Sequence, residues 1–211
     1  SGFKLTMGDV GDDCVVYPVK TETSIYLEAT GTSMTVTVTK ISQSALVITS
    51  NNTFAVDSSV TVSAAGGSGT GDLSYHVADQ ETTGCSINSS TGALTATSAG
   101  DCEVYAKRSA STNYDEVTSS HQVVTVTKVS QTLLFSSVPP VTVVAGQTYT
   151  PSATATSGLS PAFTLGSGAG SFCSISAGTV TFLSSGDCEI EAYQVGNGSY
   201  LAAATISQTV S

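Results

Sequence analysis

The sequence predicts an all-β protein laid out as an array of one small repeated unit, and three observations carry that prediction. The pattern Cys-(eleven residues)-Tyr occurs at Cys14/Tyr26, Cys102/Tyr114 and Cys188/Tyr200. Each copy opens alike, on Gly11-Asp12-Asp13-Cys14, Gly100-Asp101-Cys102 and Gly186-Asp187-Cys188. Apolar and polar residues alternate in stretch after stretch, the period-two mark of half-buried strands, and nothing sustains a 3.6-residue period with helix caps. Clusters rich in Gly, Ser and Thr punctuate these runs. The tyrosines stand 88 and then 86 residues apart, about the length of one small β-sandwich domain.

Taken in order, residues 1–43 match the last half of a unit, 44–131 a whole one, and 132–211 a whole one short of its final few residues. The run Val36-Thr37-Val38-Thr39-Lys40-Ile41-Ser42-Gln43 returns as Val124-Thr125-Val126-Thr127-Lys128-Val129-Ser130-Gln131. Both ends fall inside a unit, so the expectation is a window on a longer protein. In 1–43, Met34, Val36 and Val38 alternate with Thr35, Thr37 and Thr39 as a closing strand. Pro18 stands where the other copies have Ala106 and Ala192, and proline removes a ladder donor, so that strand is expected to be irregular or at an edge.

In 44–131 the expected strands lie near 45–49, 54–56, 59–65, 73–78, 93–97, 102–108 and 121–128. Seven short strands suit an immunoglobulin-like sandwich. Cys102, Val104 and Ala106 point one way, and Glu103, Tyr105 and Lys107 the other. In 132–211, Cys188, Ile190 and Ala192 likewise oppose Glu189, Glu191 and Tyr193, so each cysteine shares the apolar face that should become core. Ala64-Ala65-Gly66-Gly67-Ser68-Gly69-Thr70-Gly71, Ser90-Thr91-Gly92 and Gly196-Asn197-Gly198 are the main breakers.

Five cysteines is an odd number, which in an exported protein points to a free thiol or an intermolecular bridge. The repeat offers a simpler account. Whole units hold a pair, Cys85/Cys102 and Cys173/Cys188, each expected to form a disulfide within its unit. Cys14 aligns with the second member of such a pair and is left unpaired within this sequence. Closing loops of this length contributes roughly 3 kcal/mol in the chain-entropy model. Zinc is the weaker alternative, because no CxxC or HxxxH spacing occurs and only His76 and His121 are available.

Charged residues make up 10% of the chain and net charge is −10, with no Lys or Arg in 132–211. Nucleic acid and anionic membrane surfaces need clustered cations, so both are poor partners. Disulfides imply an oxidising site, outside the cell, on its surface or in a periplasm, and the expectation is an extracellular or cell-surface protein. No apolar stretch approaches a membrane span, so no membrane insertion is expected from this segment.

No catalytic set emerges. His76 and His121 have no counterpart in 132–211, and abundant Ser and Thr make any Ser/His/Asp coincidence uninformative. The expectation is a protein that is not an enzyme and carries no cofactor. Calcium is the one metal weighed. Asp9, Asp12 and Asp13 form a weak candidate site near a unit junction, set against the alternative of a solvated turn, since no EF-hand or nonapeptide spacing is present. Sequons at Asn51, Asn88 and Asn197 read as turn residues. Tyr26, Tyr114 and Tyr200 are expected to pin the loop before the last strand, with rings buried and hydroxyls satisfied.

One longer pattern is distinctive: Thr148-Tyr149-Thr150-Pro151-Ser152-Ala153-Thr154-Ala155-Thr156-Ser157-Gly158-Leu159, then Phe172-Cys173-Ser174-Ile175, Val180-Thr181-Phe182, Ser185-Gly186-Asp187-Cys188 and Gln194-Val195-Gly196-Asn197-Gly198-Ser199-Tyr200. It resembles the tandem immunoglobulin-like repeats of very large bacterial surface and secreted proteins, adhesins among them. The match is close over 132–211, looser over 44–131 and partial over 1–43. The resemblance implies a spacer or stalk, whose partners are neighbouring repeats of the same chain or fibre. It leaves open a glycan- or protein-binding adhesin module, with 66–71 and 166–170 as candidate loops, and a subunit of a polymeric extracellular filament. Lys–Asn crosslinks, which stiffen some domains of this kind, cannot form in 132–211 without a lysine.

Overall fold

The computed structural model describes residues 5–6, 10–11, 13–79 and 83–211. Strands dominate throughout, and the one helical element among the described residues is a 3₁₀ turn at Ala169–Ser171. The chain is all-β, built of several small sheets, with one disulfide in 44–131 and one in 132–211.

In 44–131 the long strand Gly100–Arg108 organises one sheet. It pairs antiparallel with Leu73–Asp79 on one side, and with Gln122–Thr127 and Val117–Thr118 on the other. Thr53–Ala55 then adds in parallel to the outer edge of Gln122–Thr127. Ser86–Ile87, Ala93–Thr95 and Val60–Thr61 form the facing sheet. Burial alternates along Gly100–Arg108 as its sequence does: Cys102, Val104 and Ala106 are fully enclosed, while Glu103, Tyr105 and Lys107 look outward. The apolar face meets Val62, Leu94, Val124 and Val126 in a single buried cluster.

Segment 132–211 repeats the plan. Ala162–Leu165, Cys188–Tyr193 and Ile206–Val210 make one sheet, Thr148–Tyr149, Thr179–Phe182 and Cys173–Ser176 a second, and Leu133–Phe135 pairs with Ala153–Ala155. Its core is a second cluster around Val180, Phe182, Ile190 and Val210. Both disulfides join facing sheets. Cys85 meets Cys102 and Cys173 meets Cys188, each pair with Cα atoms 5.9 Å apart. In 1–43, Asp13–Val16 pairs with Met34–Thr37 and Val19–Lys20 with Ala29–Thr30. The ladder stops on either side of Pro18, whose missing N–H accounts for the break. Cys14 sits opposite Val36, Cys102 opposite Val124 and Cys188 opposite Val210, one register used three times.

Two strand expectations need correction. The run 59–65 is two pieces, Val60–Thr61 and Ala64–Gly66, and they pair with different partners. Ser86–Ile87 and Val117–Thr118 are strands that the alternation, too short to show in two residues, did not reveal.

Candidate functional site: the junctions between repeats

The polar groups that the repeats hold in common meet at two places, where 1–43 joins 44–131 and where 44–131 joins 132–211. The tyrosine loop is shaped first. In each copy the backbone N–H three residues before the tyrosine donates to the tyrosine carbonyl: Thr23 to Tyr26 (2.8 Å), Ser111 to Tyr114 (3.0 Å) and Asn197 to Tyr200 (3.1 Å). Asn197 Oδ1 also accepts from the N–H groups of Ser199 and Tyr200, and Thr23 Oγ1 from that of Tyr26. These turns are why Asn, Ser or Thr stands at that place.

The loop then pairs with the incoming linker. Ile41 forms an isolated parallel bridge with Tyr114, and Val129 forms the same bridge with Tyr200. Ile41 N–H donates to Asn113 O (2.9 Å), and Asp115 N–H returns to Ile41 O (3.0 Å). At the second junction Val129 N–H donates to Ser199 O and Leu201 N–H to Val129 O, both at 2.9 Å.

A glutamine closes each junction. Gln43 Nε2 donates to Asp115 O at 2.6 Å, and Gln131 Nε2 to Leu201 O at 2.7 Å. The amide oxygens accept in turn, Gln43 Oε1 from Gly69 N–H and Gln131 Oε1 from the Ser157 hydroxyl. Gln131 is 6% exposed, so both ends of its amide need the partners they have. Gly69 belongs to the candidate binding loop 66–71, whose Ser68 and Gly69 bond to Ser44 and Gln43. The other candidate loop, 166–170, is packed inward through Ala169, which is 2% exposed.

Segments 44–131 and 132–211 also touch beyond the linker. Ala99 N–H donates to Gly198 O (3.0 Å), and the Ser199 hydroxyl to Thr97 O (2.9 Å). The Tyr200 hydroxyl donates to the Asp57 carboxylate at 2.7 Å. That bond and the carboxylate's negative charge, with a further contribution from desolvation, raise the Tyr200 pKa above its ordinary 10.0. The expectation of a buried tyrosine ring is corrected here. Tyr114 and Tyr200 are half-buried, each facing a linker rather than its own core, and Tyr26 is 67% exposed.

The remaining candidates have other work. Asp13 accepts from the Thr37 hydroxyl (2.6 Å), Asp101 from Thr125 (2.9 Å) and Asp187 from Ser211 (2.7 Å), a cross-strand tie repeated in all three copies. Asp9 and Asp12 lie outside the described residues. Among the described residues no three His, Cys, Asp or Glu side chains gather as metal ligands. His76 and His121 flank Tyr105 in a ring stack, with centroids 5.0 and 5.2 Å from it. His76 Nε2 shares a hydrogen bond with Ser74, and His121 Nδ1 lies 3.2 Å from Glu103. Rings stacked face to face present edges to solvent, and Tyr105 holds the two imidazoles apart. Asn88 Oδ1 caps a turn by accepting from Ser90 and Thr91 N–H. Cys14 is free and partly exposed.

Sequence reasoning missed the two glutamines as functional groups. Their signal was present, since Ser-Gln closes the repeated run at both linkers and a glutamine at a repeated boundary invites a question about its amide. No periodicity or motif in the sequence marks Asp57.

No family model and no curated protein matches the chain. Among solved structures it is similar to human protocadherin-24 EC1-2, at 13% identity over 79% of this chain and 96% of that one, with a TM-score of 0.32. Domains 4 and 5 of the S-layer protein SbsC match at 16% identity over 81% and 98%, TM-score 0.32. PcdhgB3 EC1-4 matches at 15% over 94% and 56%, TM-score 0.35. At scores this low the likeness carries no residue and no function across to this chain.

Proposed function

We propose that the chain is a structural spacer: tandem immunoglobulin-like domains, divided as 1–43, 44–131 and 132–211, that set distance and direction in a large exported surface or fibre protein of bacterial type. The role is display or adhesion at a distance, with no reaction of its own. One observation carries this reading. The linker, tyrosine loop and glutamine form the same hydrogen-bonded junction twice, and linkers meant only to tether have no reason to be built in register with the next domain.

Surface area supports it. The chain exposes 12677 Å² at 21.2 kDa, against about 9,000 Å² for a compact monomer of that mass. The difference favours beads in a row over one globule. Disulfides favour an oxidising compartment, and among the described residues no helix is long and apolar enough to cross a membrane. Small-angle scattering of the full chain should give an elongated particle, and a compact one would remove the spacer reading.

A filament subunit is the second reading, favoured by the open face of 1–43. Ile25, Leu27 and Met34 are 81%, 86% and 62% exposed there. Sedimentation distinguishes the two, since a subunit polymerises as concentration rises and a spacer stays monomeric.

A further inference from the structure

Segments 44–131 and 132–211 differ in one turn. Six residues lie between the paired Ile87 and Leu94, and four between the paired Ile175 and Val180. The longer turn folds back on its own segment. Tyr75 N–H donates to Ser89 O at 2.9 Å, and Val62 N–H to Gly92 O at 2.8 Å. Gly92 lies so close that a Cβ there would stand 2.2 Å from Val62 O and 3.3 Å from the Tyr75 ring. Tyr75 is 8% exposed beneath it.

In 132–211 that cover is missing. Leu94 pairs with Val60 and Val180 with Tyr149, which equates Val62 with Pro151, a residue with no N–H to give. Ala106 pairs with Tyr75 and Ala192 with Phe163, which equates those two rings. A Cβ at Gly178, the equivalent of Gly92, would meet nothing within 4 Å. What remains is an open cleft of about 400 Å³, with Pro151, Ala153, Ala155, Leu159, Pro161 and Phe163 on its walls and no charged side chain. Backbone groups face it. Gly166 N–H donates to Glu189 O (2.9 Å), a register that turns the Phe163 N–H away from Cys188–Tyr193. Thr156 N–H donates to Thr132 O (3.0 Å) and Ser136 N–H to Ser152 O (2.8 Å), so Ala153 and Ala155 face away from Leu133–Phe135. Among the described residues these three N–H groups find no acceptor. The lip is held in place: Leu159 N–H donates to the Ser157 hydroxyl, which bonds Gln131, and Gln194 Nε2 donates to Ser160 O at 2.7 Å. A cleft fixed in this way takes a ligand without first having to order itself.

We propose that this cleft is a peptide-binding site, which takes an uncharged segment of a partner protein along Ala153–Ala155 and seats one of its backbone carbonyls on the Phe163 N–H. Segment 44–131 shows what fills such a place: a turn of Ser, Thr and Gly held by its carbonyls. Free N–H groups on a strand edge bind main chain, and the apolar wall selects small side chains. Acidic segments are disfavoured, because the walls carry no charge and 132–211 has no Lys or Arg to pair with a carboxylate. The site goes beyond the spacer reading, and a scattering result that removed that reading would leave these walls as they are.

The test is to titrate the full chain with the peptide Ser-Ile-Asn-Ser-Ser-Thr-Gly-Ala-Leu-Thr, the sequence of 86–95, and to follow amide resonances. Those of Ala153, Ala155 and Phe163 should shift saturably, while those of Val62 and Tyr75, already covered, should stay. Leu159→Asp, a change in the loop at the mouth, should weaken binding about tenfold or more, since its carboxylate must be desolvated without a partner. A second variant, with Asn-Ser-Ser-Thr-Gly-Ala in place of Ser176-Ala177-Gly178-Thr179 and with Pro151→Val, should abolish binding by filling the cleft from within. No saturable shift at the three amides would overturn the proposal, and so would binding undiminished in either variant. Shifts there with maltohexaose but none with the peptide would also overturn it, and would assign the cleft to a sugar.

Discussion

At Tyr200 the geometry makes a titration testable. Its hydroxyl donates to Asp57 across the boundary between 44–131 and 132–211, and the pKa is raised because the neutral phenol is the form that can donate. The sign follows from linkage. A raised folded pKa means the bond's contribution is fully present below the ordinary tyrosine value and is lost as pH climbs through the folded one. Ultraviolet titration of the full chain should show one tyrosine ionising above 10.0. Asp57→Asn, which keeps an acceptor but removes the charge, should bring it down toward that value. An unchanged titration in the variant would show that the tyrosine and carboxylate are not partners in solution. The effect is local and solvent-exposed, so the fold itself should survive it. Asp101 and its counterparts do a different job, each tying its strand to the closing strand through a hydroxyl. That explains why the acid before the cysteine recurs without any metal being invoked.

Among elements, the central strands were the most legible and the corners the least. Gly100–Arg108 and Cys188–Tyr193 show strict alternation because one face is core and the other solvent, so burial follows sequence parity. Gly186 at φ +134° carries the same logic into the turn before the cysteine, where a Cβ would run into the Phe172 ring. The 59–65 run was not legible as two strands, since it switches partners between Thr61 and Ala64 while keeping an unbroken apolar pattern. Nor were the junctions, whose energetics lie in backbone groups and one amide rather than in apolar periodicity. The disulfide is the element-level staple of these small cores. Replacing Cys173 and Cys188 together by alanine should lower the unfolding free energy of that domain by about 3 kcal/mol, read from urea denaturation followed by exchange at Ile190. A loss below about 1 kcal/mol would mean that the packed sheets suffice without the crosslink.

For the whole molecule, the spacer reading turns on whether the two junctions hold 44–131 and 132–211 in one relative direction. Two junctions share a bridge, a reciprocal pair of backbone hydrogen bonds and a glutamine clamp, and the second adds contacts from Thr97, Ala99 and Asp57. Buried amides such as that of Gln131 cost about 1–3 kcal/mol when a partner is lost, enough to bias a hinge strongly toward one setting. Residual dipolar couplings test this claim most directly. Amides of 46–78 and 84–126 and those of 148–210 should fit a single alignment tensor in the full chain, and Gln131→Ala should split it into two of unequal magnitude. Two independent tensors in the unaltered chain would show sandwiches tumbling on a loose tether, and the account of a direction-setting junction would fail.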